Sequence, residues 1–118
     1  EEGFPSPLTE SNALVMRRAM WDELGGYDPA FSGPGGGACN PDLLVRACAL
    51  PGARLVKLAG EATFHQVHGG TVTNTPDRRI MRRIFVEYAK IRGHAFRRVR
   101  GEALLLDPAT GTVTPQRL

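Results

Sequence analysis

Between residues 77 and 92 apolar side chains recur every three or four positions. Ile80, Ile84, Tyr88 and Ile91 form one stripe, and Met81 and Phe85 widen it. A stripe of that period is buried along its length only if the segment is an α-helix laid against another layer. Gly93 follows the last apolar position, where glycine ends helices. The helix therefore demands a layer to pack against.

The other residues read as shorter pieces. Residues 12–16 are an apolar run that predicts a buried strand. Residues 17–24 follow with Met20 and Leu24 four apart and Trp21 beside them, a short helix stopped by Gly25-Gly26. Five residues, Gly33-Pro34-Gly35-Gly36-Gly37, resist helix and strand alike and predict a flexible or closely approached loop. After it Asn40 is a favoured N-cap, Pro41 suits the first helical position, and Asp42 complements the helix dipole. Leu43, Leu44, Ala47 and Leu50 keep helical spacing until Pro51-Gly52. Residues 54–58 and 62–64 predict two short strands, and 103–106 with 112–114 predict a β-hairpin around Asp107-Pro108-Ala109-Thr110-Gly111.

The order strand, helix, helix, strand, strand, long helix, hairpin fits an α/β or α+β fold with two to three helices and a C-terminal hairpin. It holds too few strands for a complete nucleotide-binding sheet. The organisation expected is an irregular lead-in over 1–10, a central segment over 11–93 that includes the long helix, and a C-terminal extension over 94–118.

Charge is unevenly spread. The chain carries +3 overall, yet residues 77–100 alone carry +7, with Arg78, Arg79, Arg82, Arg83, Lys90, Arg92, Arg97, Arg98 and Arg100 against Asp77 and Glu87. A field of that size attracts phosphate or an anionic membrane surface. Nucleic acid is not the expected partner, because the aromatics sit mainly on the apolar stripe instead of among the cations. No apolar run approaches the roughly 20 residues that a membrane helix needs. The opening Glu1-Glu2-Gly3-Phe4-Pro5 has neither the basic nor the apolar stretch of a signal peptide, and its lack of an initiator methionine reads as a fragment. Cys39 and Cys48 are too few for a disulfide scaffold and read as free thiols in a reducing compartment.

Several residues have chemistry to offer, and each has a plainer role beside it. His65 and His68 can share a metal if the backbone turns between them, whereas on an extended strand they point to opposite faces. Joined to Cys39 and Cys48 they lack the short paired cysteine spacing of a zinc site. Asp42 is either a general base at the mouth of the glycine loop or a carboxylate stabilising a helix start. The helix terminus that welcomes a carboxylate also weakens it as a base. Trp21 and Tyr27 can stack on a sugar ring, and Trp21 can equally be a core residue. The glycine loop matches neither phosphate-binding pattern, G-x-x-x-x-G-K-[ST] or G-x-G-x-x-G.

Taken together, three stretches resemble the C-terminal, acceptor-side part of family 2 glycosyltransferases of the GT-A fold. The first runs through Ser11-Asn12-Ala13-Leu14-Val15-Met16-Arg17-Arg18 to Trp21 and Gly25-Gly26-Tyr27-Asp28, with Phe31 beyond. The second is Asn40-Pro41-Asp42-Leu43 with Arg46-Ala47, and the third is Gly60-Glu61-Ala62-Thr63-Phe64-His65-Gln66-Val67-His68-Gly69-Gly70-Thr71. The resemblance covers about residues 11–92.

It implies transfer of a sugar from a nucleotide-sugar donor to the hydroxyl of a glycan or lipid-linked acceptor, as in polysaccharide biosynthesis. It further implies a divalent metal, Mn or Mg, in the full-length enzyme only, with His65 or His68 completing the metal site. Asp42 would be the carboxylate near the base position, and Trp21, Tyr27 and Asn40 would lie on the acceptor side. A cytoplasmic location follows, with peripheral contact of the basic helix at the inner membrane face. Two departures stand out. Cys39-Asn40 replace the family's Glu-Asp pair, and no Asp-x-Asp occurs in the chain, so the donor-binding half is expected ahead of residue 1 and the chain alone is expected to be inactive. The competing expectation is a non-catalytic module, binding carbohydrate or a partner protein, that keeps glycosyltransferase ancestry.

Overall fold

The computed structural model describes residues 13–61 and 78–118. The fold is a mixed α/β arrangement of three helices and a three-stranded sheet. In chain order it runs α1 (Arg18–Leu24), α2 (Cys39–Ala49), β1 (Val56–Leu58), α3 (Arg78–Arg92), β2 (Glu102–Asp107) and β3 (Thr112–Arg117). A single 3-10 turn, Pro34–Gly36, sits in the glycine loop.

α3 forms where the apolar stripe predicts it. Ile84 and Tyr88 are buried, and with Phe31 and Ala38 they make a core cluster against which Cys39, Ile80, Ile91 and Phe96 pack. The stripe is narrower than the sequence suggests, because Met81 and Phe85 remain 42% and 39% exposed. Leu43, Leu44 and Ala47 bury the inner face of α2. Around Tyr88 the rings interlock, with Phe31 at 5.9 Å and Phe96 edge-on at 5.2 Å between centroids. Such aromatic pairs add about 0.5–1.5 kcal/mol each beyond burial.

β1 and β2 are parallel, with Val56 opposite Leu104 and Leu58 opposite Leu106, so α3 lies in the crossover between them. Parallel neighbours require such a connection. β2 and β3 are the antiparallel hairpin, its register running from Glu102 opposite Arg117 to Asp107 opposite Thr112. The hairpin is thereby part of the same sheet as β1. Pro115 is tolerated because β3 is an edge strand, where a missing N–H costs no central ladder bond.

Two local expectations change. Residues 14–17 form neither helix nor strand, and Asn12 lies outside the described residues. An apolar run becomes a strand only beside a neighbour that pairs with it, and the described sheet ends at β1. α2 begins earlier than its sequence signals place it. Ala38 is the N-cap, with no side-chain cap bond, and Asn40 and Pro41 are already helical. Proline is harmless there because the first amides of a helix have no intrahelical acceptor. The first such bond is Asp42 N–H to the Ala38 carbonyl, 2.9 Å. The strand expected over 62–64 lies outside the described residues.

Candidate functional site

The polar centre of the molecule is Asp42, which is 0% exposed on the first turns of α2. Its Oδ1 accepts from Arg92 Nε at 2.7 Å, and its Oδ2 accepts from Arg92 Nη2 at 2.7 Å and Arg46 Nε at 2.8 Å. Arg92 thus grips the carboxylate with a two-pronged fork, the strongest geometry available to such a pair. Its remaining nitrogen, Nη1, lies 2.8 Å from Asp28 Oδ2, and its guanidinium sits 5.2 Å from the Phe31 ring centre.

Arg46, one turn after Asp42, points its other two nitrogens backwards. Nη1 donates to the Leu24 carbonyl and Nη2 to the Gly26 carbonyl, each at 2.7 Å. It therefore satisfies acceptors at and just beyond the C-terminus of α1, which intrahelical bonds leave open. Two arginines and two aspartates balance in charge, and they bind together α1, the loop after it, α2 and the end of α3. A buried carboxylate is tolerable only when paired and hydrogen-bonded in this way.

The electrostatics follow. Burial pushes the Asp42 carboxyl upward, but the hydrogen bonds and charges of Arg92 and Arg46 outweigh it and hold the group below the usual carboxylate range. Asp28 is also depressed, first by the Ala30 N–H that donates to it, then by Arg92. Arg92 is driven further from deprotonation, chiefly by its bonds to Asp42. Burial and the nearby Asp42 charge raise the Tyr88 phenol.

A general base needs access to substrate and a lone pair free to take its proton. Asp42 is 0% exposed and already accepts three hydrogen bonds from two arginines, so of its two sequence readings the geometry suits anchoring better than proton removal. Its anchoring reaches well beyond the helix start, because Arg92 comes from the end of α3 and Arg46 carries the hold on to the end of α1.

The aromatic pair is arranged differently. Trp21 and Tyr27 meet edge to face, 5.2 Å apart at 88°. Trp21 is half-buried against Gly26, which has φ +66°, and a Cβ there would fall 2.6 Å from the indole. The second glycine of the pair is needed for space as well as for backbone conformation. Tyr27 is 46% exposed and offers its ring outward. Asn40 is half-buried, its Oδ1 3.7 Å from the Cys39 thiol. A cleft of about 880 Å³ opens beside β1, lined by Leu14, Met16, Met20, Leu44, Cys48 and Leu55 among others. Trp21, Tyr27, Asn40 and Asp42 are not among its described lining residues.

The glycine loop is the closely approached kind. Glu87 of α3 folds into it, and its Oε1 accepts from the Ser32 N–H at 3.1 Å. A Cβ on Gly33 or Gly37 would come 2.6 or 2.5 Å from Oε2. That oxygen is buried without a hydrogen-bond partner among the described residues. The only hint of this contact in residue order is one acid on an otherwise basic helix.

His65 and His68 lie outside the described residues. Among the described residues, no group of three or more His, Cys, Asp or Glu side chains is placed to hold a metal ion. Sequence reasoning missed Arg92 as the partner of Asp42, and Asp28 as the second carboxylate on Arg92. Arg46 was detectable, since four residues along a helix brings side chains together.

The arrangement defines a small mixed α/β unit organised around one buried ion-pair centre. Comparison with protein-family models, curated proteins and solved structures gives no match.

Proposed function

We propose that this chain is the acceptor-side portion of a nucleotide-sugar-dependent glycosyltransferase, with Asp42 as its anchor and the base supplied elsewhere. One observation carries the reading. The residues on which the resemblance rests, Gly26, Asp28, Phe31, Asp42 and Arg46, are scattered in sequence but meet around the same two guanidinium groups. A recurring pattern of separated residues has a physical reason to recur if its members hold one another in place.

In this reading the ion-pair centre fixes the loop that carries Tyr27, and the exposed Tyr27 ring provides an apolar face for an acceptor sugar. Trp21 backs that ring. The donor nucleotide sugar belongs to a donor-binding half outside this chain. There a divalent metal, Mn or Mg, with help from His65 or His68, would offset charge on the departing diphosphate.

A second reading has its own support. Asn40 stands where a carboxylate base is expected, and Asp28 and Asp42 are both committed to arginine. A non-catalytic carbohydrate- or partner-binding module of the same ancestry would have those features.

Amide and indole NMR signals of the chain, titrated with saccharides and separately with nucleotide diphosphates, test the proposal. Saccharides should shift the signals of Trp21, Tyr27 and their neighbours, and nucleotides should leave them in place. Sugar transfer should require a longer form of the chain. Transfer by that form favours the enzyme, and saccharide binding without transfer favours the module. Saccharides that perturb nothing near Tyr27 would remove both.

A further inference from the structure

The outward face of α3 combines cations with exposed apolar side chains. Arg79, Arg82, Arg83, Val86 and Lys90 line a shallow groove of about 600 Å³ together with the stem of Glu87. At about 100° per residue, Phe85 and Val86 lie about 60° and about 40° to either side of Arg82 around the helix, so these two, 39% and 46% exposed, flank that cation. The face is more positive than the helix sequence implies, because Glu87, the one acid of α3, turns its carboxylate into the glycine loop against Ser32. The charge of Arg92 is likewise taken up by Asp28 and Asp42. Phe96 stacks on Phe85 at 5.4 Å, and Arg97 and Arg98, next in sequence, are exposed.

We propose that this face docks on an anionic phospholipid bilayer surface. The cations meet lipid phosphates while Phe85 and Val86 enter the boundary between headgroups and acyl chains. Binding to such a surface grows with the apolar area inserted and with attraction to the lipid charge, and this face supplies both. A nucleic acid would use the charge but gain little from Val86, and Phe85 already has one ring face covered by Phe96. The inference is independent of the glycosyltransferase reading, since it uses only charge and exposure on α3.

Sedimentation of the chain with vesicles tests it. Vesicles of phosphatidylcholine and phosphatidylglycerol should bind the chain at low salt, less at high salt, and vesicles of phosphatidylcholine alone should not. Each Lys or Arg near such a surface strengthens binding about fivefold, so the pair Arg82→Gln and Arg83→Gln should weaken it roughly 25-fold. The pair Arg17→Gln and Arg54→Gln removes two exposed charges elsewhere and should have far less effect. Val86→Ser should weaken vesicle binding without unfolding the chain, as checked by circular dichroism. Absent binding, equal binding to neutral vesicles, or equal effects of the two arginine pairs would each overturn the proposal. So would unchanged binding in Val86→Ser, or an affinity for a single-stranded oligonucleotide matching that for the vesicles.

Discussion

Replacing Asp42 by alanine removes the one carboxylate that holds Arg46 and Arg92 together. Deleting one partner of a buried, hydrogen-bonded ion pair costs about 3–5 kcal/mol, because the partner charges remain uncompensated. Here the cost belongs at the lower end. The arginine side chains keep 25% and 23% of their exposure, against 1% for Asp42. Arg92 also retains Asp28, and Arg46 retains the Leu24 and Gly26 carbonyls. A loss of about 3 kcal/mol is expected, a large share of the roughly 5–15 kcal/mol that stabilises a typical domain. For a chain of this size it corresponds to a midpoint lowered by roughly 9–15 °C.

Urea and thermal unfolding of Asp42→Ala, with Arg18→Ala as control, measure it. Arg18 and Asp22 form an exposed pair, so that control should stay within about 0.5 kcal/mol of wild type. The cycle completed by Arg92→Ala should show coupling above about 1 kcal/mol. An Asp42→Ala loss under about 1 kcal/mol, the range of surface pairs, refutes the anchoring argument. It would return Asp42 to the residues available for chemistry.

Acid stability follows from the same centre. The folded Asp42 titrates below its unfolded value, so its contribution is complete above about pH 4 and disappears as pH falls through the lower, folded value. Unfolding midpoints should fall steeply below about pH 4 in wild type, and Asp42→Asn should flatten that fall; identical slopes would show that other carboxylates govern it. Gly33→Ala places a methyl against Glu87 Oε2 and should cost about 1 kcal/mol, with Glu87→Ala restoring part of the loss in the double variant. If the two changes are additive, the loop does not enclose Glu87. Burial raises the Cys48 thiol, so its alkylation near neutral pH should be slower than in the urea-unfolded chain; equal rates would count against its burial. Gly26→Ala should displace Trp21 and change its fluorescence, and an unaltered spectrum would contradict the close approach.

The sequence alone determined the elements whose residues interact with near neighbours. The stripe from Ile80 to Ile91 made α3 a helix, Gly25 closed α1 with φ +69°, and Asp107 shaped the hairpin turn through bonds to Ala109 and Thr110. For Gly25 and Asp107 the partners lie within a few positions, and for α3 the spacing alone marks the helix even though the stripe packs on the distant Phe31 and Ala38. Cap chemistry was weaker guidance: Asn40 looked like the N-cap, yet the N-cap is Ala38, two residues earlier, with no side-chain bond.

Tertiary structure alone decided what Asp42 touches, where Glu87 turns, and that β1 pairs in parallel with β2. Asp42 and Arg92 are 50 positions apart, and Glu87 and Ser32 are 55 apart. An arginine on an amphipathic helix looks the same in sequence whether it faces water or a buried carboxylate. Only the path of the chain brings the two charges together, because an ion pair depends on distance and desolvation, which residue order does not specify.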